Sequence, residues 1–288
     1  MTEQDTRRGI GLMVLATMVF AAQDMLSRHL AGEYNVIMVV MVRYWFFAAF
    51  VMVIAARKLG GLRAAVRTAH PVLQPLRGVL LAVEICVLVL GFVMLGLVEA
   101  HAIFACYPLL VAALSGPILG ERVGWRRWAA IGVGFVGVLI ILQPGFRVFS
   151  PWAFVALTAA FMFALYALLT RYVSRRDSAA VSFFWTGTAG AVAMTLAGVW
   201  FWQPMSPPDW GWMALLCVTG ALGHYLLIRA FEVAEASAVQ PFAYLQLVFG
   251  AMGGMILFGE VLRWNVALGA GVVIAAGLFT LWRQRVAS

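Results

Sequence analysis

The 288-residue sequence predicts an all-α integral membrane protein of ten transmembrane helices, arranged as two inverted five-helix repeats. Three observations predict it. Hydrophobic residues make up 64% of the chain and charged residues 11%, whereas a water-soluble domain carries about 45–50% and about 25%. The apolar residues gather into runs of about 20, the length of helix that crosses a hydrocarbon core of about 30 Å with its backbone hydrogen bonds satisfied internally. Two stretches of sequence also recur about half a chain apart. The composition excludes a soluble enzyme, a disordered chain and a coiled coil. A formal charge of +8 does not indicate a nucleic-acid partner, because Lys and Arg are scattered singly or in pairs between apolar runs instead of lining one polar face.

In order, the predicted spans are residues 9–30, 36–56, 75–95, 98–119, 127–142, 151–172, 179–200, 210–231, 238–258 and 264–281. The first follows Arg7 and Arg8 as a signal peptide would. It is too long for a signal-peptide core and contains Gln23 and Asp24, so it is expected to stay in the mature protein. Only Gly96 and Leu97 separate the third and fourth runs, which leaves nine spans as the fallback. The longest loop runs from about Arg57 to Gln74, so no soluble domain is expected outside the bundle.

Sixteen of the 20 Lys and Arg residues fall at the end of the bundle that holds the N-terminus. Three, Arg28, Arg147 and Arg263, fall at the other end, and Arg43 lies within the second span. Cytoplasmic loops retain basic residues, so both termini are expected in the cytoplasm, with a lipid bilayer around the spans.

Residues 115–125 read SGPILGERVGW and residues 254–264 read GMILFGEVLRW. A shift of 139 superposes Gly120 on Gly259, Glu121 on Glu260 and Trp125 on Trp264, and a shift of 143 pairs MVFAAQDMLSRHL, from Met18, with FMFALYALLTRYV, from Phe161. The halves, residues 1–146 and 147–288, hold five spans each. Five is odd, so the second half enters the membrane the other way up, as in secondary transporters with a substrate site at the repeat interface.

Ten spans, with a Gly-Glu pair closing the fourth and the ninth, resemble the drug/metabolite transporter superfamily, EamA type, over almost the whole chain. Within it the sequence is most similar to bacterial aromatic amino acid exporters. The resemblance implies export of amino acids with aromatic or large apolar side chains, or of similar small metabolites, by alternating access. It also implies a central cavity lined by the first, third, fourth, sixth, eighth and ninth spans. The competing class is a membrane-embedded enzyme such as a lipid or group transferase. That class needs an acid, a base and a nucleophile clustered near one interface, and the ionisable groups here lie singly on separate spans.

Ionisable groups inside spans are costly and therefore functional candidates. Asp24 and Arg43 each lie roughly 10 Å below the end of the bundle away from the termini. They are expected to meet, as a structural ion pair or as an outer gate or site for substrate carboxylate and ammonium. Glu84 has no basic residue within a helical turn, so it is either a protonated, hydrogen-bonded acid or a carrier that couples transport to protons, with His224 as its distant partner. The shift of 139 pairs His101 with Gln240 and Tyr107 with Gln246, placing polar groups at equivalent points of both halves. Tyr166, paired with Gln23 by the shift of 143, and Tyr244 could stack on an apolar cargo or only pack. Gln23, Glu84, His101, Tyr107, Tyr166, His224, Tyr244 and Gln246 are thus the cavity candidates. Pro108 frees the carbonyl of Phe104 in mid-span, for a cargo or for a kink.

Glu121 and Glu260 are expected to sit at the N-terminus of the helix that follows each, fixing a tight turn after Gly120 and Gly259. Gly132, Gly134 and Gly137 spell GxGxxG inside an apolar run with no strand before it, which reads as close helix packing and not as a nucleotide site. Ser115-Gly116 resembles the nucleophile region of intramembrane serine proteases, but Ala113 stands where their glycine would be. Cys86, Cys106 and Cys217 read as buried hydrophobes. No catalytic residue, cofactor or metal is expected.

Overall fold

The computed structural model describes residues 3–58, 61–120, 124–143, 150–234 and 240–287. Among them every regular element is helical. We number the α-helices in chain order: α1 Glu3–Glu33, α2 Val36–Lys58, α3 Leu62–Val66, α4 Leu73–Leu95, α5 Leu97–Phe104, α6 Tyr107–Leu119, α7 Trp125–Leu142, α8 Ala153–Val173, α9 Ala179–Gly198, α10 Pro207–Val233, α11 Leu245–Phe258 and α12 Trp264–Ala287. Nine stretches among the described residues are long and apolar enough to cross a membrane, and Trp264–Thr280 is a shorter apolar helix. The chain is a multi-pass membrane protein of two five-span repeats. The end of the bundle where α1 begins is called the basic face below, and the other end the opposite face.

Several predicted features have clear local causes. Gly96 separates α4 from α5 with φ 94°, a backbone that side-chain-bearing residues rarely adopt, so two runs that abut in sequence become two spans. The fourth span is itself broken. α5 ends at Phe104, Ala105 and Cys106 form a turn, and α6 starts with Pro108 in its first turn, where a missing N–H costs no helical hydrogen bond. The ninth span breaks at the matching place, with a 3-10 turn over Gln240–Tyr244 leading into α11. The shift of 139 that aligns the halves carries Cys106 onto Leu245, so the two breaks are equivalent.

α1 packs on α10 and α11, α4 on α8 and α9, and α5 on α8 and α11, while α2 lies against α9 and α7 against α12 on the flanks. The last contact uses small residues. A Cβ added at Gly137 would lie 2.9 Å from the Gly269 carbonyl oxygen, so the helices touch backbone to backbone. Gly134 also faces a neighbour, Leu109, whereas Gly132 has open space, so two of the three glycines of GxGxxG serve packing.

Candidate functional site

α1 carries Gln23 and Asp24, both buried. Adjacent helical residues leave the axis about 100° apart, so the two side chains enter different compartments, one on each side of α1.

On the α5 and α11 side, Asp24 Oδ2 accepts a hydrogen bond from Gln246 Nε2 at 2.8 Å and lies 3.1 Å from His101 Nε2. His101 Nδ1 is 2.9 Å from the Leu97 carbonyl oxygen, which can only accept, so Nδ1 carries a hydrogen. The proton between Nε2 and Asp24 then makes either an imidazolium with a carboxylate or a neutral ring with a carboxylic acid. Both arrangements are neutral overall. The imidazole also stacks on Phe92, with ring centroids 4.8 Å apart. Beside this cluster lies a cavity of about 70 Å³, lined by Phe104, Tyr107 and Pro108 from the first break and by Tyr244, Gln246 and Leu247 from the second.

On the α2 and α10 side, a cavity of about 30 Å³ is lined by Arg43, Tyr44, Phe47, Leu81, Ile85, Cys217, Gly220 and His224. A Cβ added at Gly220 would lie 3.1 Å from Gln23 Oε1 and 3.7 Å from Arg43 Nε, so both groups border that glycine. Gln23 Oε1, Tyr44 Oη and Glu84 Oε1 are buried without a hydrogen-bond partner among the described residues.

The expected meeting of Asp24 and Arg43 does not occur. Depth does not fix direction around a helix: Asp24 is bonded to His101 and Gln246, whereas Arg43 lines the cavity beside Gly220. The expected partnership of Glu84 with His224 is also absent. His224 sits in an aromatic cluster with Phe20, Phe47 and Phe183 at 5.2, 5.9 and 6.1 Å, whereas the charged groups acting on Glu84 are Arg43 and Asp24. Tyr166 lines neither cavity; its ring takes the Arg77 guanidinium at 5.1 Å. The side chain of Gln240 and all of Glu121 fall outside the described residues.

Gly120 and Gly259 end α6 and α11 in left-handed conformations, φ 74° and 66°, as the motif predicts. Glu260 departs from its expected place. Its two carboxylate oxygens accept from the Leu97 and Val98 N–H groups, both at 2.8 Å, and it pairs with Arg28. It therefore caps α5 in the other half of the chain instead of the helix that follows it. Arg263 pairs with Glu99 alongside. Together these contacts tie the halves at the opposite face.

The basic face holds a second tie that residue counting missed. Arg77 is 1% exposed and donates to Gln74 Oε1, Thr170 Oγ1, the Ser182 carbonyl and Thr186 Oγ1. Gln74 Nε2 passes the link on to Asp177 at 2.9 Å. Burial would raise the Asp177 carboxyl, but hydrogen bonds from Thr68, the Ala69 N–H and Gln74 outweigh it and hold the group below the ordinary carboxylate range. One amide thus bridges an arginine and a carboxylate, joining α4 to α8 and α9. The available signal was Gln74 and Arg77 three apart at the start of an apolar run, a spacing that puts both on one helix face.

The profile of the EamA-like transporter family matches residues 7–143 and, a second time, residues 150–282. The chain belongs to this family. Among its EamA-type relatives is an S-adenosylmethionine uptake transporter of Rickettsia prowazekii, 26% identical over 96% of this chain and 93% of that one. A riboflavin transporter of Vibrio cholerae is 26% identical over 95% and 93%. A pseudopaline exporter of Pseudomonas aeruginosa is 26% identical over 97% of each chain. A solved crystal structure covering 95% of this chain and 99% of its own superposes with a TM-score of 0.58 at 17% identity, which shows the fold alone. The relatives are transporters of several cargoes, and the narrower resemblance to aromatic amino acid exporters finds no support in them. They include both an uptake carrier and an exporter, so membership does not fix the direction of transport.

Proposed function

We propose that the protein is a secondary transporter of a small amphipathic metabolite with an amino-acid-type head, working by alternating access in a bacterial inner membrane with the basic face in the cytoplasm. The observation that carries this reading is the pair of helix breaks at equivalent points of the two halves, which meet at one cavity beside the Asp24–His101–Gln246 cluster. Discontinuous spans at a repeat interface free backbone groups for a solute at mid-membrane.

The ties at the two faces support the same reading. Glu260 and Arg263 bind the second half to the first at the opposite face, and Arg77, Asp177 and the Arg175 bond to the Leu119 carbonyl do so at the basic face. Cavities of about 70 and 30 Å³ between them are far below the roughly 300–1,000 Å³ of small-molecule sites, as befits a closed state that must open on one side to load. Aromatic or large apolar amino acids and S-adenosylmethionine both fit the cargo class. We assign proton coupling to Glu84, which is 2% exposed and has an unpartnered carboxyl oxygen.

Reconstituted protein should give saturable flux of labelled phenylalanine or S-adenosylmethionine across vesicle membranes, measured in both directions and with and without a pH gradient. Flux no greater than in empty vesicles for either solute, and for riboflavin, overturns the reading. Glu84→Gln should remove the response to the pH gradient; an unchanged response removes Glu84 from that role.

A further inference from the structure

Arg28 pairs with Glu260, Arg263 with Glu99, and Arg77 is bonded to Gln74, Thr170, Ser182 and Thr186, whereas Arg127, at the start of α7, has buried Nε and Nη2 atoms with no partner among the described residues. Arg43 also lacks a partner. Its guanidinium is always charged and lies about 10 Å inside the span, yet among the described residues no carboxylate oxygen comes within the 4 Å of an ion pair. Nor does it make a hydrogen bond to the described residues. Its natural partners on the same side are withheld from it. Asp24 is bonded to His101 and Gln246 instead, and Glu84 makes no ion pair with Arg43 while one of its oxygens stays unpartnered. A half-buried cation at Arg43 and a buried, unbonded phenol on Tyr44 line one small cavity, and the buried, unbonded amide oxygen of Gln23 borders Gly220 in its wall.

We propose that this compartment is the head-group subsite for the cargo. Arg43 receives the solute's carboxylate, Gln23 Oε1 accepts from its ammonium, and Phe47, Leu81 and Ile85 take the first part of its apolar body. The proposal rests on the transporter reading. A planar fork of N–H donors matches a carboxylate's two oxygens, and the apolar walls keep water from competing. About 30 Å³ is room for roughly one water, so the subsite must widen to admit a head group. α2 belongs to the first half and α10 to the second, so a rocking motion of the halves opens the cleft between Arg43 and Gly220.

The test compares wild type, Arg43→Gln, Arg43→Lys and, as a structural reference, Arg77→Gln, by thermal unfolding of the purified full chain and by vesicle flux. The flux probes are phenylalanine with phenylethylamine, S-adenosylmethionine with its decarboxylated form, and riboflavin. Arg43→Gln should melt at or above the wild-type temperature while Arg77→Gln melts below it. Flux of the carboxylate-bearing solute should fall roughly tenfold or more in Arg43→Gln, its preference over the decarboxylated partner should vanish, and Arg43→Lys should recover part of both. Melting of Arg43→Gln as low as Arg77→Gln would make Arg43 structural and overturn the subsite. So would undiminished flux and preference in Arg43→Gln, or a wild type that carries riboflavin alone, which has no carboxylate. A wild type that carries none of the solutes overturns the transporter reading, and the subsite falls with it.

Discussion

The compartments on the two sides of α1 are entered by adjacent residues, Gln23 and Asp24, and differ in how far their polar groups are satisfied. On the α5 and α11 side, Asp24, His101 and Gln246 close a hydrogen-bonded cluster that is neutral overall. On the α2 and α10 side, the buried Gln23 amide oxygen and Tyr44 phenol have no hydrogen-bond partner among the described residues, and the half-buried Arg43 beside them has no ion pair there. Polar groups buried in a low-dielectric interior stabilise a fold only when they are paired. The paired side therefore acts as a fastener between the first, fourth and ninth spans, and the unpaired side keeps its bonding capacity for a solute.

The largest expected effect that would break this contrast is at Asp24. Asp24→Ala leaves the buried His101 Nε2 and the part-buried Gln246 amide without their shared partner, and should cost about 3 kcal/mol of stability. Asp24→Asn should cost only about 1 kcal/mol. With Nδ1 of His101 carrying the hydrogen to Leu97, a neutral ring accepts at Nε2, and the new amide can donate to it. Thermal unfolding of both variants checks the order. If Asp24→Ala melts with the wild type, the cluster is not a fastener and the distinction between the two sides collapses.

Next in size is Gly250→Ala. A Cβ there would lie 2.8 Å from His101 Cε1, so the ring must move off Asp24 or α11 must shift outward. Overpacking of this kind costs about 2 kcal/mol. Because the strain falls on the fastener, Gly250→Ala should add almost nothing in an Asp24→Ala background, where the His101 ring is already released. Full additivity in the double variant would show that Gly250 acts on something other than the Asp24–His101 contact.

The sequence made the frame legible and the pairing illegible, and for one physical reason. Span limits, the Gly96 junction, the break announced by Pro108 and the doubled Gly-Glu motif depend on properties local to the chain: run length, backbone freedom, a missing N–H. Partners of buried charges depend on which way each helix is turned about its axis. Asp24 and Arg43 could thus be placed at one depth and still be assigned to each other wrongly. Glu260 was expected at the helix next to it in sequence, but the inverted repeat brings α5 of the other half closer. Arg77 was counted as one more basic residue at the basic face, because nothing near it in the sequence reveals Thr170, Ser182 and Thr186. The recurrence of polar residues between the halves carried further than single residues did, since Tyr107 and Gln246 line one cavity as the shift of 139 implies.

The smallest expected effect on stability sharpens the contrast most, because it separates stability from flux. Gly220 lies in the interior of α10 with no unusual backbone angle, so alanine there improves helix propensity by up to about 1 kcal/mol. Its Cβ would sit 3.1 Å from Gln23 Oε1, a mild crowding that offsets part of the gain. The melting temperature should therefore change by the equivalent of no more than about 0.5 kcal/mol. The same methyl group fills the space between Gln23 and Arg43, where the head group of the solute is proposed to sit. Flux of phenylalanine or S-adenosylmethionine should fall while the fold is unaffected, whereas Gly250→Ala on the fastened side should lose stability first. A Gly220→Ala variant that transports like the wild type would show that the solute does not pass between these two side chains.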